Sequence, residues 1–219
     1  MSIPSAVALA ASGGGTSVTV RVEGRTRMLL APKAVQMIPG WITKGGAPTG
    51  ACSATSAQGA LDVATHHHWG GKWYGSLSSY FLTSILGENE SGKKFFWEIY
   101  VNNVAATSGA CGIQLKAGDK VLFAAVSTRS KNPHPTALRG PSQVTVGNPL
   151  RIQVVYFNAA GKARPLARAR VSGTGVSVVT NSHGFASIKV SKAGTLVLRT
   201  SPSGYVRAAP LTVQEVQFY

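Results

Sequence analysis

Acidic residues are scarce in this chain: of 219 residues only 7 are Asp or Glu, against 22 Lys or Arg, and the formal net charge is +15. Glu23, Asp62, Glu88, Glu90, Glu98, Asp119 and Glu215 lie scattered along the sequence. Paired-carboxylate catalysis and an acidic Ca²⁺ or Mg²⁺ cage therefore have little to draw on. Cysteine is nearly absent too, and the isolated Cys52 and Cys111 exclude the CxxC spacing of redox and zinc sites. No run of about 20 apolar residues occurs, so no transmembrane segment is expected. Catalytic motifs are also missing. Gly13-Gly14-Gly15-Thr16-Ser17 lacks the lysine and the preceding strand of a phosphate loop, and Gly50-Ala51-Cys52-Ser53-Ala54 departs from G-x-S-x-G at its serine and its last glycine. The chain is not expected to be an enzyme.

What is present is a folded composition, 44% hydrophobic, long enough for one large domain or two of about 100 residues. The basic excess is shared along it: residues 1–139 hold 13 basic and 6 acidic side chains, and residues 140–219 hold 9 and 1. With no clustered stripe or recognition helix, this charge does not point to specific nucleic acid. It suits an anionic glycan or cell-wall polymer at a cell envelope. Cys52 and Cys111 would pair as a disulfide in an oxidising compartment, the alternative being two buried free thiols.

Residues Thr16 to Glu23 alternate strictly, with Val18, Val20 and Val22 on one face, and predict a strand that forms a hairpin with Met28 to Ile38. Ala57, Ala60, Leu61 and Ala64 fall at helical spacing within Ala51 to His68, behind the capping candidates Ser53 and Thr55. Trp69 to Tyr74 and Tyr80 to Leu82 read as an aromatic, glycine-punctuated connection. Phe95 to Val101 and Lys120 to Val126 predict two further strands, giving the order of a β-grasp sheet crossed by one helix. Residues 129–140 have the proline-rich, polar composition of a linker. Beyond it, seven short alternating runs without a helix predict an immunoglobulin-like (Ig-like) sandwich. The expected fold class is thus mainly β: an α+β β-grasp domain with one helix over residues 14–128, then an all-β Ig-like sandwich over 141–219.

The run Phe96-Trp97-Glu98-Ile99-Tyr100-Val101-Asn102-Asn103, then Gly109-Ala110-Cys111, then Leu115-Lys116-Ala117-Gly118-Asp119-Lys120-Val121, resembles a transcobalamin C-terminal-like β-grasp domain of unknown function found in secreted bacterial proteins. Residues 147–214, notably Pro165 to Val171, Thr180 to Ala186 and Ala193 to Leu196, resemble bacterial Ig-like or carboxypeptidase-regulatory-like repeats. These resemblances imply a secreted or surface-displayed protein. In the first, the two cysteines would join the approach to the helix with the fourth-strand region. The helical partner that completes the site in cobalamin carriers has no counterpart here, and no cofactor is expected.

Four groups of residues are candidate sites. His66, His67 and His68 form a weak metal candidate, because adjacent helical side chains point about 100° apart and cannot easily share one ion. A helix end, where a cationic imidazole suits the C-terminal dipole, is the competing reading. Trp69, Lys72, Trp73 and Tyr74 could form a glycan-stacking surface or fill the core. Residues 1–13 read as a signal-peptide remnant or a mature arm; in the second case Ile3, Val7 and Leu9 lie on one face of a donor strand in search of a sheet edge. The function expected from these features is that of a non-catalytic secreted or cell-surface structural or adhesive protein, in the extreme a filament subunit that self-associates by strand donation. The alternative is a monomeric secreted module that binds a small molecule or glycan.

Overall fold

The computed structural model describes residues 16–130 and 133–217. Its elements in chain order begin with β1 (Thr16–Glu23), β2 (Met28–Met37), α1 (Ala57–Ala64), β3 (Trp69–Tyr74), β4 (Ser79–Ile85), β5 (Glu88–Asn89), β6 (Phe95–Val101), β7 (Val104–Ala105) and β8 (Lys120–Ser127). β1 and β2 pair antiparallel, β1 and β8 parallel, and β8 and β6 antiparallel, so the main sheet runs β2-β1-β8-β6-β7. Within this sheet β1 and β2, then α1, then β6 and β8 follow the chain order of strand, strand, helix, strand, strand expected from the sequence. The alternation of β1 puts Val18, Val20 and Val22 under α1, at 2%, 0% and 0% exposure. Fully burying each of these side chains is worth roughly 1.5–3 kcal/mol. Thr19, Arg21 and Glu23 consequently face the other way.

The helix coincides with its apolar positions Ala57 to Ala64 and not with the whole segment Ala51 to His68, and neither Ser53 nor Thr55 caps it. Ser53 Oγ accepts from the Thr55 amide at 3.1 Å in a turn ahead of the helix. Ser56 takes the cap, its Oγ accepting from the Gly59 amide at 3.4 Å. Gly59 has to be glycine because a Cβ there would collide with the Ala54 backbone carbonyl. At the other end the backbone turns left-handed, with φ of 50° at His66 and 64° at His67. The segment expected to be a connection is instead a hairpin, β3 with β4, extended by β5 into a separate three-stranded sheet. Gly70 and Gly71 hid it, since they interrupt the alternation at a register shift.

The second domain comprises β9 (His134–Arg139), β10 (Gln143–Thr145), β11 (Pro149–Phe157), β12 (Ala163–Pro165), β13 (Arg170–Gly173), β14 (Val176–Val179), β15 (Phe185–Lys189), β16 (Gly194–Thr200), β17 (Tyr205–Val206) and β18 (Leu211–Val216). One sheet runs β10-β18-β16-β13-β14, and the other β12-β11-β9-β17 with β15 also on β11. Leu150, Ile152 and Ile188 of one meet Val171, Leu198 and Val213 of the other in a single core, which makes this a two-sheet sandwich. β9 lies in the span expected as linker. Its prolines concealed it, yet Pro135 falls just outside the β9–β11 ladder, which runs over Thr136–Arg139, and lies opposite Val206 of the two-residue edge strand β17.

The domains meet in a tight joint. Val206 of β17 packs on Tyr100, Leu122, Ala124 and Val126, on the sheet face opposite α1. Tyr100 Oη donates to Pro133 O at 2.6 Å. Arg207 donates from Nε to Glu23 Oε1 at 2.7 Å, from Nη1 to Thr26 O at 2.7 Å and from Nη2 to Gly24 O at 2.8 Å. Burial raises the Glu23 carboxyl above its ordinary value, against the opposing pull of Arg207.

Candidate functional site

The β3–β4–β5 sheet stands apart from the main sheet, and β4 and β6 do not pair with one another. β5 covers only Ser84 and Ile85 of β4, and β7 covers only Tyr100 and Val101 of β6. At the ends, the Glu90 amide donates to Thr83 O at 2.7 Å and the Ala106 amide to Ile99 O at 2.8 Å. Ser91 also bridges Phe95, its amide donating to Phe95 O at 3.2 Å and its carbonyl accepting from the Phe95 amide at 2.9 Å, so among the described residues the outer edges are open over Ser79–Leu82 of β4 and Phe96–Glu98 of β6. A cleft of about 590 Å³ lies between these edges, lined by Leu77, Phe81, Leu82, Trp97, Glu98 and Ile99 among others. Leu77 and Phe81 are 62% and 42% exposed, whereas Trp97 is 8% exposed and its indole Nε1 has no hydrogen-bond partner. A buried N–H without an acceptor costs on the order of 1–3 kcal/mol. Burial raises the Glu98 carboxyl above its ordinary value, partly offset by a hydrogen bond from the Ile99 amide.

The floor of the cleft is fixed covalently. Ser108, Gly109 and Ala110 line it, and the next residue, Cys111, is bonded to Cys52 across a separation of 59 residues. The disulfide is thus formed, not a pair of free thiols. Cys111 donates its amide to Ser79 Oγ at 3.2 Å, tying this loop to β4. Gly109 packs so close that a Cβ would collide with the Ser79 side chain.

The aromatic group divides by strand alternation. Trp69 is 4% exposed, donates Nε1 to Asp62 Oδ1 at 2.6 Å and packs edge-on against Tyr80, so it belongs to the core. Trp73 is half-buried on the same face. Lys72 and Tyr74 point outward: Lys72 Nζ sits 5.4 Å from the Tyr74 ring centroid, and Tyr74 packs edge-on to Phe81 at 6.5 Å. Of the four residues of the expected surface, Lys72 and Tyr74 face outward, joined there by Phe81.

His66 to His68 lie past the helix rather than on it. His66 Nε2 is 3.0 Å from Lys33 Nζ, and His67 Nδ1 is 2.7 Å from Asp62 Oδ2, five residues back in the chain. Among the described residues no group of three or more His, Cys, Asp or Glu is arranged to hold a metal ion. A lysine, not an imidazole, serves the helix C-terminus, and a second one holds the loop beyond it. Lys33 donates to Ala64 O at 3.3 Å, and Lys44 donates to the carbonyls of His67 and Trp69, both at 2.6 Å. Ile3, Val7 and Leu9, the expected donor strand, lie outside the described residues.

These features define a disulfide-bridged β-module with an open stretch of strand edge, packed against a β-sandwich. A family profile described as a domain of unknown function (DUF4430) matches residues 57–127. The matched span runs from α1 to β8, so it contains both strands that border the cleft, and Cys111 but not Cys52. No curated protein matches the chain.

Proposed function

We propose that this is a non-catalytic structural or adhesive protein, secreted or displayed on a cell surface, whose copies join by strand addition into a filament. The apolar arm bearing Ile3, Val7 and Leu9 of one copy seats in the β4–β6 cleft of the next. The observation that carries this reading is the pair of open edge stretches, Ser79–Leu82 of β4 and Phe96–Glu98 of β6, on either side of one largely apolar cleft. An extended segment gains main-chain hydrogen bonds from such an edge, and its alternate side chains fill the apolar walls. At about 3.3 Å per residue the seven residues from Ile3 to Leu9 reach roughly 23 Å, enough to follow either strand. The Cys52–Cys111 bond suits an oxidising compartment, and the cationic surface suits an anionic envelope. The strand orders of the two domains support their resemblance to transcobalamin C-terminal-like and bacterial Ig-like modules.

A chain beginning at Ser12 tests the proposal by sedimentation and negative-stain microscopy. The full chain is expected to assemble and the shortened one to remain monomeric. Equal assembly of the two, or a monodisperse full-length monomer at high concentration, overturns it. The outward Lys72–Tyr74–Phe81 surface favours a second reading, a monomeric glycan-binding module. In that case Tyr74→Ala abolishes glycan retention while the melting temperature stays nearly unchanged.

A further inference from the structure

The domain joint leaves a second cleft, of about 540 Å³, on the face of the main sheet away from α1. Its volume lies within the range of about 300–1,000 Å³ typical of small-molecule sites. Three cations line it, Arg21 from β1, Lys120 from β8 and Arg139 from β9, and no carboxylate does. Leu122, Leu138 and Phe157 supply apolar wall, with the Arg139 guanidinium 5.9 Å from the Phe157 ring centroid.

Arg21 is the informative residue. Its guanidinium is half-buried, and among the described residues it makes one side-chain hydrogen bond, from Nη2 to Arg207 O at 3.2 Å. Glu23, two positions along β1, is held by Arg207 Nε at 2.7 Å. Burial lowers the Arg21 pKa from its ordinary value, although Glu23 acts in the opposite direction. A partly desolvated guanidinium with unused donors is costly unless an anion meets it, and its planar fork matches a carboxylate.

We infer that this interdomain cleft binds an amphipathic organic carboxylate, its charge held by Arg21, Arg139 and Lys120 and its apolar body laid against Leu122, Leu138 and Phe157. Both domains contribute, so the site exists only in the joined protein. The inference is independent of filament assembly.

Isothermal titration of the full chain with decanoate below its micellar concentration, and with decanol as the uncharged control, tests it. The expected result is saturable binding of one decanoate per chain, at least tenfold tighter than decanol. Arg139→Gln and Lys120→Gln, both at exposed positions, should each weaken decanoate severalfold with the melting temperature unchanged. Arg21→Gln should weaken it more, with folding checked by circular dichroism because Arg21 also contacts Arg207. The assignment is overturned by decanol binding as tightly as decanoate, by undiminished binding in Arg139→Gln and Lys120→Gln, or by no saturable binding. Inorganic phosphate competing as strongly as decanoate also overturns it, since the apolar wall would then contribute nothing.

Discussion

Replacing Cys52 and Cys111 together by alanine removes a bond between two almost fully buried sulfurs, at 0% and 4% exposure. The loop it closes spans a separation of 59 residues, all within the first domain. Chain-entropy theory puts the loss on freeing such a loop at roughly 4 kcal/mol, a large share of the 5–15 kcal/mol by which domains are stable. For a domain of about 100 residues each kcal/mol moves the midpoint by roughly 4 °C, so the first-domain transition should fall by about 15 °C. Differential scanning calorimetry of the native, reduced and double-alanine proteins reads this directly. The sandwich transition should move by only a few degrees, because no cysteine lies in it. A first-domain shift under about 4 °C, or two thiols titrating in the native protein with a thiol reagent, refutes the reasoning. The substitution should also loosen the cleft floor at Ser108–Ala110, so strand addition should weaken before the domain unfolds.

Arg207→Ala removes the bonds to Glu23, Gly24 and Thr26 and leaves a buried carboxylate unpaired, at a cost of about 3–5 kcal/mol. The first-domain and sandwich transitions should then move further apart in calorimetry, and the chain should be cut more readily by protease between residues 128 and 133. Gly59→Ala should destabilise the first domain by about 1–3 kcal/mol in urea titration, because the new methyl meets the Ala54 carbonyl, although alanine is the better helix former. Burial raises Glu23 and Glu98 above the ordinary carboxylate value of 4.5, so above that pH the folded chain retains protons that the unfolded chain has released. Unfolding free energy should therefore fall as pH rises through that window and level off beyond it, and Glu98→Gln should flatten the slope in denaturant titrations.

Strands with one buried face were legible in the sequence. Val18, Val20 and Val22 write the period of β1 directly, and β6, β11, β16 and β18 were readable for the same reason, whereas β8, buried on both faces, was readable as a continuous apolar run from Val121 to Val126. The β3–β4 hairpin was not, because Gly70 and Gly71 sit at its irregular register, and Pro133 and Pro135 masked β9. The cysteines were visible as a pair, and the structure adds that their bond holds the floor of a cleft. That cleft could not be read from sequence because it is defined by a pairing that does not form: two strands with good alternation give no sign of which edge lacks a neighbour. The alternating run Tyr80 to Ile85 was the one available signal. The division of Trp69 from Tyr74 follows from the same strand and needed only the hairpin to be recognised.

The joint at Val206 and Arg207 also sets an order of events during synthesis. Tyr100, Leu122 and Val126 belong to a sheet complete once β8 has emerged, but their cover comes from β17. The ribosome must add about 80 further residues first, which at about 5–20 residues per second takes roughly 4–16 s. Throughout that interval the nascent first domain carries an uncovered aromatic and aliphatic face, a natural target for a chaperone.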